Sequence, residues 1–91
     1  MQHSGTYRIR IKGLVQGVGF RPFIYRLAHE SGLKGWVNNT NENIQVMINS
    51  DPDTLRAFID KIQNQAPPAS RIESIESEEV EGQEFKDFRI I

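Results

Sequence analysis

The 91-residue chain is predicted to fold as an α+β sandwich of order β-α-β-β-α-β, with two helices packed on one face of an antiparallel sheet. Three observations carry this expectation. Apolar residues alternate with charged or polar ones in "YRIRIKG" and again in "NIQVMIN", the period of a half-buried strand. Two other segments have helical period, each with a proline in its first turn. The order of these pieces is that of the ferredoxin-like, or split βαβ, sandwich. Such an arrangement hosts many functions, so function must be read from the site.

In the first strand Tyr7, Ile9 and Ile11 share one face against Arg8, Arg10 and Lys12, and Gly13 is expected to end it. From Phe20 the period changes. Phe20, Phe23, Ile24, Leu27, Ala28 and Ser31 fall on one helical stripe, and Gly32 supplies a stop. Pro22 suits a first turn, where its missing N–H is no loss, and it biases Arg21 away from helical angles. That places Arg21 at the lip of the helix. "KGWVNNT" reads as the second strand, and the third puts Ile44, Val46 and Ile48 on one face. Between them Asn41, Glu42 and Asn43 are expected to turn through left-handed angles, which asparagine tolerates.

In "SDPDTLRAFIDKIQNQ" Asp51 caps the second helix and Pro52 takes its first position. Leu55, Phe58, Ile59 and Ile62 form its buried stripe. "APPAS" reads as a linker, residues 71–80 as a fourth strand with an acidic exposed face, and "EFKDFRII" as a short last strand. The start, "MQHSG", reads as frayed. Residues 1–91 are expected to form a single domain, and a monomer.

Cysteine is absent, which excludes disulfides, cysteine metal sites and a thiol nucleophile, and fits a reducing, cytoplasmic setting. No apolar run approaches a membrane span and no signal peptide opens the chain. The net charge of −1 is unevenly spread. Residues 1–35 hold six basic side chains against Glu30, a balance of +5, so the remainder carries −6. This asymmetry points to an anionic ligand near the N-terminal half. It is too small for nucleic acid, and the strand faces lack the exposed aromatics that a nucleic-acid-binding sheet uses.

The stretch "VQGVGFRPF" joins the first strand to the first helix. Helix starts leave N–H groups unpaired and carry partial positive charge. Gly17 and Gly19 let the backbone turn those donors toward one point, making a nest for an anion from Gln16, Gly17, Val18, Gly19 and Phe20. Arg21 adds a planar fork of donors suited to phosphate oxygens. The helix terminus contributes about 0.3–1 kcal/mol and each charge-assisted bond about 1.5–3 kcal/mol. The loop lacks the lysine-serine ending of an NTPase P-loop and the GxGxxG spacing of a dinucleotide site. On spacing alone, a glycine-rich turn with a solvated arginine remains an equal reading.

"GLVQGVGFR" followed by "GLKGWVNNT" resembles the acylphosphatase family, whose signature pairs a VQGVxFR loop with a GWVxN strand. The resemblance runs from about Tyr7 to Ile91 and includes "PPASRIESIE". "FRPF" with "YRLA" is most similar to the N-terminal acylphosphatase-like domain of hydrogenase-maturation carbamoyltransferases. The resemblance implies hydrolysis of acyl phosphates, with carbamoyl phosphate the substrate suggested by the carbamoyltransferase likeness. It implies that Arg21 binds phosphate, that the backbone of Gln16 to Phe20 cradles it, and that Asn39 orients the attacking water. No metal or cofactor is implied. Inorganic phosphate or sulfate should bind the same loop, and further domains downstream of Ile91 are expected. Glu42-Asn43 and Ser50 depart from the family's usual Asp-Gly and glycine, which bears on turn geometry. A module that binds a phosphate-bearing ligand without hydrolysing it is the alternative reading, and a plain interaction domain a third.

Other polar residues have plainer readings. His29 and His3 lack partners at nucleophile–base spacing, and Asp51 and Asp53 are explained by capping. Trp36 reads as packing, and Thr40 as a turn residue that buttresses Asn39. Glu73, Glu76, Glu78, Glu79, Glu81 and Glu84 read as a solvated face.

Overall fold

The computed structural model describes residues 4–91, so His3 and the start of "MQHSG" lie outside the described residues. The elements are β1 (Gly5–Leu14), α1 (Phe20–Glu30), β2 (Lys34–Asn39), β3 (Ile44–Ser50), α2 (Pro52–Gln65), β4 (Arg71–Val80) and β5 (Phe88–Ile90). The sheet order is β4-β1-β3-β2-β5. β1 lies between β4 and β3 and pairs antiparallel with both, while β2 pairs antiparallel with β3. The four-stranded antiparallel sheet expected from the sequence is therefore present. β5 adds to its edge parallel to β2, so the complete sheet is mixed.

The core lies between one sheet face and the two helices. Ile9 and Ile11 of β1, Val37 of β2 and Ile44, Val46 and Ile48 of β3 meet Phe20, Phe23, Ile24, Leu27 and Ala28 of α1 and Leu55, Phe58 and Ile62 of α2. Both helices bury the stripes expected of them, and Ile59 and Tyr7 are half-buried against the cluster. Full burial of a side chain such as Phe58 contributes about 1.5–3 kcal/mol.

Several local expectations are corrected. β1 does not stop at Gly13. Its register against β4 shifts between Lys12 and Gly13, and the strand continues through Leu14. At this bulge Gly13 takes φ 133, and an added Cβ would run into the Arg71 carbonyl. Arg21 is helical, the second residue of α1, because Pro22 sits within the first turn, where its ring displaces no helical bond. The β2–β3 turn uses no left-handed asparagine, since among the described residues only glycines have positive φ. It is held by Thr40. Its N–H donates to the Asn43 carbonyl at 2.8 Å, and its hydroxyl accepts from the N–H groups of Asn43 (3.0 Å) and Glu42 (3.3 Å). Among the described residues no helix is long and apolar enough to cross a membrane.

α2 begins as expected. The Asp51 carboxylate accepts from the Thr54 N–H and hydroxyl, both at 2.8 Å, and Pro52 follows at the first position. These bonds, the backbone one foremost, hold the Asp51 carboxyl below its ordinary 3.8. A depressed folded pKa stabilises the fold above the unfolded value and loses that contribution as pH falls through the folded one. Thermal unfolding midpoints of wild type should therefore fall more between about pH 5 and pH 3 than those of Asp51→Asn, which caps without titrating. Parallel acid limbs would contradict this.

Candidate active site

The register of the sheet assembles the site. Ile11 of β1 lies opposite Ile44 of β3, which lies opposite Asn39 of β2. The C-terminal ends of β1 and β2 therefore lie at the same end of the sheet. The loop leaving β1 passes beside Asn39 before entering α1. A cleft of about 190 Å³ opens there, lined by Val15, Gly17, Gly19, Phe20, Arg21, Pro22 and Asn39.

The loop has the conformation of an anion nest. Gly17 has φ 74 and Gly19 φ 80, while Val18 between them keeps a negative φ. Gly19 is the N-cap of α1 in the left-handed region, and no side chain caps that end. A Cβ on either glycine would meet nothing within 4 Å, so the requirement is conformational rather than steric. Among the described residues, the N–H groups of Gly17, Val18, Gly19, Phe20 and Arg21 have no hydrogen-bond acceptor. Unpaired donors at a helix start, beside the positive end of its dipole, can receive an anion.

Arg21 is the one cation lining this cleft, and among the described residues its guanidinium has no carboxylate partner. The charge asymmetry of the sequence resolves differently from expectation. Arg8 and Arg10 of β1 face Glu78 of the adjacent β4, at 3.0 and 3.7 Å, so part of the basic half is neutralised across strands. Asn39 carries an unpaired acceptor. Its Oδ1 is buried without a protein partner, as are Arg8 Nε and Asn38 Oδ1, and of these residues only Asn39 lines the cleft.

Gly17, Gly19, Phe20, Arg21 and Asn39 are thus brought together as the sequence predicts. Gln16 and Val18 do not line the cleft. Val18 packs against the core, and Gln16 turns its side chain to the β2–β3 turn, donating to the Thr40 carbonyl at 2.6 Å. Val15 and Pro22 complete the walls, and nothing in their residue type announces it. Thr40 does not buttress Asn39 through its side chain, because its hydroxyl is taken up by Glu42 and Asn43. The remaining candidates are structural. His29 lies against Tyr25 with ring centroids 4.4 Å apart and planes tilted by 43°, and Asp53 pairs with Arg56 at 2.7 Å. Trp36 is half-buried on the helix-free face opposite Met47.

Fold and cleft together define an α+β sandwich with a polar cleft at one end of its sheet. The family model for acylphosphatase matches residues 7–90, and the chain belongs to that family. It is 47% identical over 85 residues to the probable carbamoyltransferase HypF of Methanocaldococcus jannaschii, covering 92% of this chain and 11% of that protein. It is 38% identical to an acylphosphatase of Caldivirga maquilingensis, covering 91% of this chain and 90% of that one. A crystal structure of full-length HypF in the phosphate- and nucleotide-bound form matches with a TM-score of 0.93 at 37% identity, over 100% of this chain and 12% of that one. The chain therefore spans a small part of the carbamoyltransferases and nearly the whole of the acylphosphatase.

Because the nest depends on left-handed backbone, Gly19→Ala should lose roughly 1–2 kcal/mol of stability even though the methyl group has room. Urea unfolding would measure it. An unchanged midpoint would show that the loop does not need this angle.

Proposed function

We propose that this cleft binds acyl phosphates and hydrolyses them to a carboxylate and inorganic phosphate. The observation that carries the reading is one cleft lined together by Gly17, Gly19, Phe20, Arg21 and Asn39, on a loop whose amides have no acceptor among the described residues. Membership of the acylphosphatase family supports it. The loop amides and Arg21 hold the phosphoryl oxygens. The Asn39 amide holds a water in line with the acyl oxygen. The water oxygen forms a bond to phosphorus as the bond to the acyl oxygen breaks, and the electron pair leaves on the carboxylate. A phosphoryl oxygen of the substrate takes the water proton. A carboxylate is a good leaving group, so no general acid is required, and catalysis rests on positioning and charge stabilisation.

Carbamoyl phosphate is the substrate we favour, on the strength of the HypF likeness and the small cleft. A domain within a longer carbamoyl-transfer polypeptide is the setting that likeness supports. The cysteine-free composition fits a reducing, cytoplasmic setting.

Hydrolysis of a generic acyl phosphate in the presence of chelator tests the reaction. Turnover that vanishes with chelator and returns with magnesium would refute the mechanism. Binding of phosphate with no turnover would instead establish a non-hydrolytic module. Arg21→Ala should lower turnover by at least ~10²–10³-fold with native circular dichroism. Arg21→Lys should also be poor, because the bidentate fork is lost. Inorganic phosphate at ~100 Kd should stabilise wild type by ~2.7 kcal/mol. Arg21→Ala should lose most of that gain, whereas stabilisation by general sulfate or phosphate exclusion would survive the substitution. Asn39→Ala should lower kcat far more than phosphate affinity. Normal turnover with weakened phosphate binding would reverse the two roles.

A further inference from the structure

The Gln16 side chain crosses from the phosphate loop to the β2–β3 turn. Its Nε2 donates to the Thr40 carbonyl at 2.6 Å and lies 3.5 Å from the Asn43 carbonyl. The acceptor is the backbone of the residue that follows Asn39. The turn itself is braced by the Thr40 hydroxyl, which lies 2.9 Å from Asn43 Oδ1 and accepts the Asn43 N–H at 3.0 Å. No other side-chain hydrogen bond joins residues 15–21 to β2 or its turn among the described residues. The loop and the strand end belong to separate elements, and their spacing is otherwise set by apolar packing beneath the cleft.

We infer that Gln16 is a positioning residue, whose side-chain amide sets the distance between the phosphate loop and Asn39. The inference rests on the acyl phosphate reading above and adds a function for a side chain which that reading leaves idle. The loop donors and Arg21 grip the phosphoryl group whether or not the bridge is intact. In-line attack also needs the water on Asn39 at a fixed distance from that group. Reacting atoms misplaced by about 1 Å can lose ~10²-fold in rate. Loss of the bridge therefore acts on turnover and spares phosphate binding, whereas a cradle ligand would affect both.

Two substitutions test this. Gln16→Leu keeps much of the shape and removes the donor. It should lower kcat by about 10- to 100-fold, with the inhibition constant for inorganic phosphate within about two-fold of wild type. Gln16→Glu places a carboxyl against the Thr40 and Asn43 carbonyls. Ionised, it is repelled; protonated, it donates as the amide did. Its kcat relative to wild type at the same pH should therefore recover as pH falls toward the carboxyl's ordinary ~4.3. A purely structural role would produce no such recovery. Wild-type kcat in Gln16→Leu, or normal kcat with weakened phosphate inhibition, would overturn the inference. If Gln16→Leu does not fold, a pH-independent ratio for Gln16→Glu overturns it. Wild type run in parallel separates the two questions: absence of wild-type turnover refutes the acyl phosphate reading on which this inference rests, whereas wild-type turnover that Gln16→Leu leaves unchanged overturns the bridge alone.

Discussion

The register between β1 and β3 is the constraint on which the rest depends. Pairing Ile9 with Val46 and Ile11 with Ile44 puts all four side chains into the core. A slip of one residue would turn them to the helix-free face and bring Arg8 and Arg10 inward, at the cost of burying charge. The same register fixes which residues meet at the end of the sheet. Because β2 pairs with β3 through Asn39 and Ile44, the strand end carrying Asn39 and the loop leaving β1 become neighbours. Hydrophobic burial thereby sets the geometry of a polar cleft whose two halves, among the described residues, are joined by side-chain hydrogen bonding through Gln16 alone.

The polar chemistry of the chain is divided by location. On the sheet face, arginines of β1 meet Glu78 of β4, and elsewhere Arg56 and Arg89 pair with Asp53 and Asp87 at 2.7 and 2.9 Å. These exposed ion pairs join charges within the protein and contribute little to stability. At the cleft the opposite holds. Among the described residues, Arg21 and the loop amides have no hydrogen-bond or ion-pair partner, because the backbone turns through Gly17 and Gly19 instead of closing hydrogen bonds. These are the groups that the proposed phosphoryl ligand would engage. The acylphosphatase of Caldivirga maquilingensis is about the length of this module, and HypF contains it as a small fraction of a longer chain. The residues lining the cleft lie at one end of the sheet, on the loop after β1 and at the end of β2.

Much of this was legible in the sequence because it is local. The stripes of α1 and α2, the alternation in β1 and β3, and the Asp51-Pro52 cap depend on neighbours within a few residues, and the period alone assigns them. The loop glycines with Arg21, and Asn39 beside "GWV", could be singled out as two local motifs. What only the tertiary structure decided are the relations between segments distant in sequence. The parallel pairing of β5 with β2, the bulge that carries β1 past Gly13 and the pairing of Arg8 with Glu78 all arise from strand register. The Thr40-centred turn replaced the expected left-handed asparagine because one hydroxyl could satisfy several backbone groups at once. Gln16 reaches the carbonyl of Thr40, 24 residues away, only after the core has brought loop and turn together. No propensity or period in the Gln16 neighbourhood encodes that contact, since its acceptor is a backbone group that every sequence provides.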